Sequence, residues 1–142
     1  MIPLKREFVI FTDGAARGNP GPSASGYMIF ENGKKVAEEF VFNGSKTNNY
    51  AEYNAIIMAL ERCKEMLKDA EECSAKLFSD SELVVKQLNG EYKLKSQDLR
   101  PLNRKVVGLA AKLGKVEFEN VRRENKHISE VDRNLNLLLD SR

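Results

Sequence analysis

No run of apolar residues in these 142 approaches the roughly 20 that a helix needs to cross a bilayer, so no membrane association is expected. Met1 to Glu7 lack the apolar core of a signal peptide, and the cytoplasm is the expected location. Cysteine is scarce. Cys63 and Cys73 stand alone, neither in a CxxC pair, and two reduced thiols are expected. Internal repeats, low-complexity tracts and an interdomain linker are all missing. So is a dominant charge: 23 Lys and Arg against 21 Asp and Glu leave a net +2. That balance does not advertise nucleic-acid binding, and any basic face has to be local.

What is present fits a globular protein, with 42% hydrophobic and 31% charged residues. The length holds one domain with a proper core, and residues 1–142 are expected to form a single domain. Phe8 to Phe11 read as a strand buried on both faces, within a first strand expected from Glu7 to Thr12. Ser23 to Glu31 and Lys35 to Asn43 follow as strands, joined by the hairpin dipeptide Asn32-Gly33. Ala55, Ile56, Ala59, Leu60, Cys63 and Leu67 have helical spacing, which predicts a helix from about Tyr50 to Lys68. A short strand, Ala75 to Ser79, precedes a short helix, Ser81 to Leu88, that stops at Asn89-Gly90. A loop, then a helix through Leu99 to Leu113, a strand with Val116, Phe118 and Val121, and a helix from Ser129 to Leu139 complete the chain. The order β-β-β-α-β-α-α-β-α implies an α/β fold: a five-stranded mixed sheet, three antiparallel strands then two parallel, with helices on both faces.

Four acids stand out, and each has an ordinary explanation. Asp13 ends the first strand in an Asp-Gly turn. Glu52 sits where Asn49-x-x-Glu52 would make a capping box. Asp80 precedes a helix and could cap it. Asp132 follows Ser129 at capping-box spacing, with Glu124 and Glu130 as rivals for any role given to it. Taken together they read differently. Strand ends and the first turns of helices packed on the same sheet converge at one rim. Carboxylates gathered there without compensation repel, and some stay protonated. A divalent cation removes the conflict, and oxygen ligands without His or Cys favour Mg²⁺ or Mn²⁺. Such sites work on phosphates.

Three blocks carry a resemblance to a known family. They are Thr12-Asp13-Gly14-Ala15 with Gly18-Asn19-Pro20-Gly21, then Thr47-Asn48-Asn49-Tyr50-Ala51-Glu52 ahead of an apolar helix, then Phe78-Ser79-Asp80-Ser81 with Leu83-Val84. In this order and spacing they resemble type 1 ribonuclease H, the ribonuclease HI family. The resemblance implies an endonuclease that cuts the RNA strand of an RNA–DNA hybrid and leaves 3′-hydroxyl and 5′-phosphate ends. It implies two Mg²⁺ ions, replaceable by Mn²⁺, held by Asp13, Glu52, Asp80 and Asp132, with Asp13 shared between them. One ion would activate water and the other would stabilise the leaving oxygen. It also implies substrate contacts from Gly14, Asn19, Thr47, Asn48 and Asn49, which otherwise read as turn and cap residues. Gly14 would let the RNA strand approach, and the 2′-hydroxyl would be read across the minor groove. A monomer is expected. The alternative is an inactive or altered-substrate relative that binds double-stranded RNA or another nucleic acid.

The last block departs from the family pattern. Arg122 to Val131 makes a longer approach to Asp132, and Val131 stands where relatives have a small residue. His127 matches, in residue type, a loop histidine that assists proton transfer and product departure in some relatives; the other reading is a solvated surface histidine. Asn89 to Pro101 is too short for the basic protrusion of some relatives, so the chain is expected in the branch that lacks it. Lys93, Lys95, Arg100, Arg104 and Lys105 leave a modest basic cluster, either a grip on the hybrid or a solvated face. No hybrid-binding module is expected ahead of Phe8, and binding should be weak and steeply salt-dependent.

Overall fold

A computed structural model describes residues 5–142. The elements follow the expected order: β1 (Arg6–Ala16), β2 (Gly21–Glu31), β3 (Lys34–Lys46), α1 (Asn48–Met66), β4 (Cys73–Ser79), α2 (Glu82–Leu88), α3 (Arg100–Leu113), β5 (Gly114–Asn120) and α4 (Lys126–Asp140). They build one five-stranded sheet in the order β3-β2-β1-β4-β5. β1 pairs antiparallel with β2, β2 with β3, while β1–β4 and β4–β5 are parallel. The sheet is therefore mixed, as the element order implies. Asn32, with φ of 53°, and Gly33, with φ of 77°, make the tight β2–β3 turn that the Asn-Gly dipeptide predicts.

Alternation along the strands divides the core between the two faces. Phe8, Ile10, Tyr27, Ile29, Ala75 and Leu77 bury against one face, where Ile56, Leu60 and Cys63 of α1 and Val106 and Leu113 of α3 meet them. Tyr53 ties three helices together there. Its hydroxyl donates to Gln87 Oε1 at 2.8 Å and accepts from Asn103 Nδ2 at 3.2 Å. On the other face α4 lays Val131, Leu135 and Leu139 over Ala24 and Met28. Val131 is fully buried in this layer, which accounts for a β-branched apolar residue next to Asp132. Cys63 and Cys73 are buried free thiols, and burial pushes their pKa values up to about 12 and about 11.

Several boundaries differ from the sequence reading, each for a local reason. β1 runs past Thr12 through Asp13 to Ala16, because β2 keeps pairing with it as far as Ala16↔Ser23. Thr47, not Asn49, caps α1: its side chain accepts from Tyr50 N–H at 3.1 Å. Ser81, not Asp80, caps α2, accepting from Val84 N–H at 3.3 Å. α4 starts at Lys126 rather than Ser129. Asn125 Oδ1 accepts from the N–H groups of His127 and Ile128 at 3.0 and 3.2 Å. Ser129 instead donates its hydroxyl to the Arg123 carbonyl at 3.0 Å. None of Glu52, Asp80 and Asp132 is thus occupied by the cap that its sequence context suggests.

Candidate active site

β1 and β4 are parallel neighbours with Thr12 opposite Ser79. Their next residues, Asp13 and Asp80, therefore leave the same edge of the sheet. α1 comes to the same place because β1 has no side chain at residue 14. A Cβ on Gly14 would collide with the backbone of Ala51 and Glu52, so only glycine lets helix and strand touch here. The contact is sealed by Gly14 N–H, which donates to Glu52 Oε1 at 2.6 Å. The same N–H lies 2.9 Å from Asp13 Oδ1. Glu52 enters the site sideways from α1, held by the backbone of β1.

One carboxylate oxygen from each of Asp13, Glu52 and Asp80 falls within 4.8 Å of the others. Asp13 and Glu52 are buried, and Asp80 is half-buried. Burial raises the Asp13 pKa to about 8, and the charges of Asp80 and Asp132 push in the same direction. Glu52 is driven well above the usual carboxylate range, first by burial and then by Asp13 and Asp80. Without a cation Asp13 keeps its proton near neutral pH, and Glu52 holds its proton more tightly than a free carboxylate.

Asp132, in the second turn of α4, lines the same cleft, a volume of about 360 Å³. It lies outside the tight group of three but close enough for its charge to act on Asp13. Asn136 Nδ2 steadies its Oδ2 at 3.3 Å. Its sequence rivals are not cleft-lining residues, and Glu130 instead sits 3.3 Å from His127 Nδ1.

Sequence reasoning missed one member of this cleft. Arg123 reaches back from the turn before α4 and sets its Nε 3.6 Å from Asp80 Oδ2, while remaining 82% exposed. It is the one cation lining the cleft among the described residues. The signal was the Arg122-Arg123 pair just ahead of the last acid, but only the turn shows which arginine faces inward.

Gly14, Asn48 and Asn49 line the cleft; Asn19 and Thr47 do not. Asn48 is engaged with the neighbouring turn: its Oδ1 accepts from Ala16 N–H at 2.8 Å, and its own N–H donates to Asn19 Oδ1 at 3.0 Å. Asn19 and Asn48 thereby bind the β1–β2 turn to the start of α1. His127 is not among the cleft-lining residues. Its side chain is 31% exposed, and its ring packs on Phe11 and Phe30 with centroids 4.6 Å away in each case. In the basic cluster, Arg100 donates to the Leu94 carbonyl at 3.3 Å and Lys105 pairs with Glu61 at 3.5 Å. The segment between α2 and α3 contains no helix or strand.

The donor set decides what this cluster can hold. Its ligand atoms are carboxylate oxygens, without His or Cys, and a single exposed arginine leaves most of the negative charge uncompensated. A hard divalent cation fits that set. Asp13, Glu52 and Asp80 would hold it, with Asp132 facing them across the cleft.

The fold and the site together define an α/β protein that presents an acid cluster at the ends of two parallel strands. Residues 5–132 match the family model for RNase H, and the chain belongs to that family. Ribonuclease HI of Halobacterium salinarum is 45% identical over 91 residues, 63% of this chain and 44% of that protein. A bifunctional protein of Mycobacterium tuberculosis is 36% identical over 117 residues, 81% of this chain and 31% of that protein. The chain thus spans less than half the length of these two curated relatives. Among solved structures, LC11-RNase H1 in complex with an RNA/DNA hybrid superposes with a TM-score of 0.87 at 33% identity, covering 94% of this chain and 97% of that one.

Proposed function

We propose that this chain is an endonuclease that hydrolyses the RNA strand of RNA–DNA hybrids, using Asp13, Glu52, Asp80 and Asp132 to hold two divalent ions. The observation that carries the reading is the convergence of Asp13, Glu52 and Asp80 within 4.8 Å in a chain of the RNase H family. The LC11 relative, caught with an RNA/DNA hybrid, supports the substrate. Mg²⁺ is the proposed physiological ion, with Mn²⁺ as substitute.

Bound there, divalent ions supply Lewis acidity at phosphate oxygens and make water more acidic. The chain's own part is electrostatic and geometric. Asp13 and Glu52 are fixed by the Gly14 N–H, so the acids are preset rather than recruited. Arg123 offers an exposed guanidinium at the cleft mouth, suited to a phosphate oxygen. Water adds to the phosphorus, the bond to the 3′ oxygen breaks, and that oxygen takes up a proton. The products are a 3′-hydroxyl and a 5′-phosphate, with no covalent enzyme intermediate. All the proposed site residues come from one chain, which supports action as a monomer. The buried free thiols Cys63 and Cys73 support a reducing, cytoplasmic setting.

The test compares an RNA–DNA hybrid, an RNA duplex and a DNA duplex, each end-labelled, with Mg²⁺, Mn²⁺ or chelator. Cleavage confined to the RNA of the hybrid and abolished by chelator is expected. Equal cutting of the RNA duplex would replace the substrate, and activity in chelator would overturn the metal mechanism. Asp13→Asn should lower turnover by about 10³-fold or more while the far-UV circular dichroism stays native.

A further inference from the structure

Beneath the acids runs a row of rings. Phe11 lies two residues before Asp13 on the same face of β1, and Phe78 of β4 lies two before Asp80, which follows that strand. The two rings stack, with centroids 5.3 Å apart and planes 20° from parallel. Phe30 meets Phe11 edge-on at 5.9 Å. The fourth ring in this layer comes from α4: His127 closes a triangle with Phe11 and Phe30, 4.6 Å from each. His127 is anchored from behind as well, since its N–H donates to Asn125 Oδ1 at 3.0 Å. Its Nδ1 is buried, lies 3.3 Å from Glu130 Oε1 and makes no well-aligned hydrogen bond. A histidine used for proton transfer needs a nitrogen free to meet the substrate. This one is 31% exposed, with Nδ1 turned inward and its ring against two phenylalanines.

We infer that His127 is a positioning residue, acting as an aromatic anchor that keys the first turn of α4 into the Phe11–Phe78–Phe30 layer and so sets Asp132 in register with Asp13 and Asp80. The inference rests on the proposed hydrolase reading for its catalytic consequence, but its structural content stands apart. The layer links three site elements through rings: β4 carries Phe78 and leads into Asp80, β1 carries Phe11 and Asp13, and α4 carries His127 and Asp132. α4 is the only helix packed on this face of the sheet among the described residues. The rest of its hold comes from Ile128, fully buried in the same turn, and from Val131, Leu135 and Leu139 further along the helix. Without the ring, the first turn keeps its cap and the buried Ile128 but loses its contact with the layer of rings beneath Asp13. Arg123 shares that fate, because Ser129 of the same turn holds the Arg123 carbonyl.

The experiment compares His127→Ala, which removes the ring, with His127→Phe, which keeps a ring and removes the titrating nitrogens. Three quantities are read: Mn²⁺ binding to the free protein by titration calorimetry, the thermal midpoint, and the pH–rate profile for hybrid cleavage. For His127→Ala, Mn²⁺ affinity and kcat should each fall by about tenfold, with KM for the hybrid little changed, as expected for a misplaced ligand. His127→Phe should restore both to within about threefold of the parent and leave the pH–rate profile superimposable. Equal losses in the two variants, with one limb of the profile gone, would overturn the anchor in favour of proton transfer. Unchanged Mn²⁺ affinity and kcat in His127→Ala would overturn it too, even with a lowered midpoint, because the role would then be purely structural. Should His127→Ala fail to fold, His127→Phe decides alone, by native or reduced Mn²⁺ affinity. Mn²⁺ affinity is read without substrate, so an inactive parent protein would sink the hydrolase reading and leave this test standing.

Discussion

Asp13 and Glu52 tie stability to pH in a direction opposite to most carboxylates. Both have folded-state pKa values above the ordinary range, Asp13 at about 8. The folded protein therefore holds protons that the unfolded chain releases between about pH 4 and about pH 8. Metal-free protein should lose stability as pH rises through that window, whereas a carboxylate with a depressed pKa would add it. Thermal melting in chelator from pH 5 to pH 9 checks this: the midpoint should fall with pH, and Asp13→Asn should flatten the slope. Added Mn²⁺ should raise the midpoint most at the alkaline end, where no proton has to leave first. Arg123 gives a second prediction at this scale. Arg123→Ala should weaken hybrid cleavage by about tenfold, with the fold intact, because the side chain is exposed and pairs with Asp80, while the carbonyl that Ser129 holds remains. The acids that converge in the structure are those whose sequence signal is local. Asp13, Glu52 and Asp80 each sit in a short block with its own turn or helix start. Arg123 was not legible, because its role is set by a turn that folds back on an acid far away in the chain.

The elements are joined most tightly where Gly14 meets α1. A methyl group there has nowhere to go, since the opposing atoms are backbone rather than a side chain that could swing away. Gly14→Ala should cost about 3 kcal/mol, roughly 10 °C in Tm for a chain of this size. It should also reduce activity by pushing Glu52 off its N–H donor. Thermal melting and hybrid cleavage on the same variant check both. This adds a structural demand on Gly14 to the RNA approach that the resemblance implies: it lines the cleft, and the side where a Cβ would stand is filled by the helix. The caps teach the same lesson. Thr47, Asn48 and Asn49 compete to start α1, Asp80 and Ser81 to start α2, and Asn125 and Ser129 to start α4. Composition ranks such neighbours almost equally, so the choice falls to tertiary contacts, and element ends are less legible than element order. The order itself was legible throughout, because strand alternation, the Asn-Gly turn and the helical spacing of α1 are all local patterns.

For the molecule as a whole, the absence of a dominant charge limits how it meets a polyanion. The cations available near α3 are few, and Lys105 is already paired with Glu61. Hybrid affinity should be modest and fall by about 10²-fold between 50 and 200 mM salt, which fluorescence anisotropy with a labelled hybrid measures in chelator and in Ca²⁺. A slope near zero would point to recognition without phosphate contacts. The two faces of the sheet also differ in what they contribute. One carries α1 and α3 and most of the buried apolar side chains; the other carries α4 and a small apolar layer. That division also splits the proposed site. Asp13, Glu52 and Asp80 stand on or beside elements of the larger core, whereas Asp132 rides on α4. Local opening of the small layer would withdraw one acid and leave the other three in place.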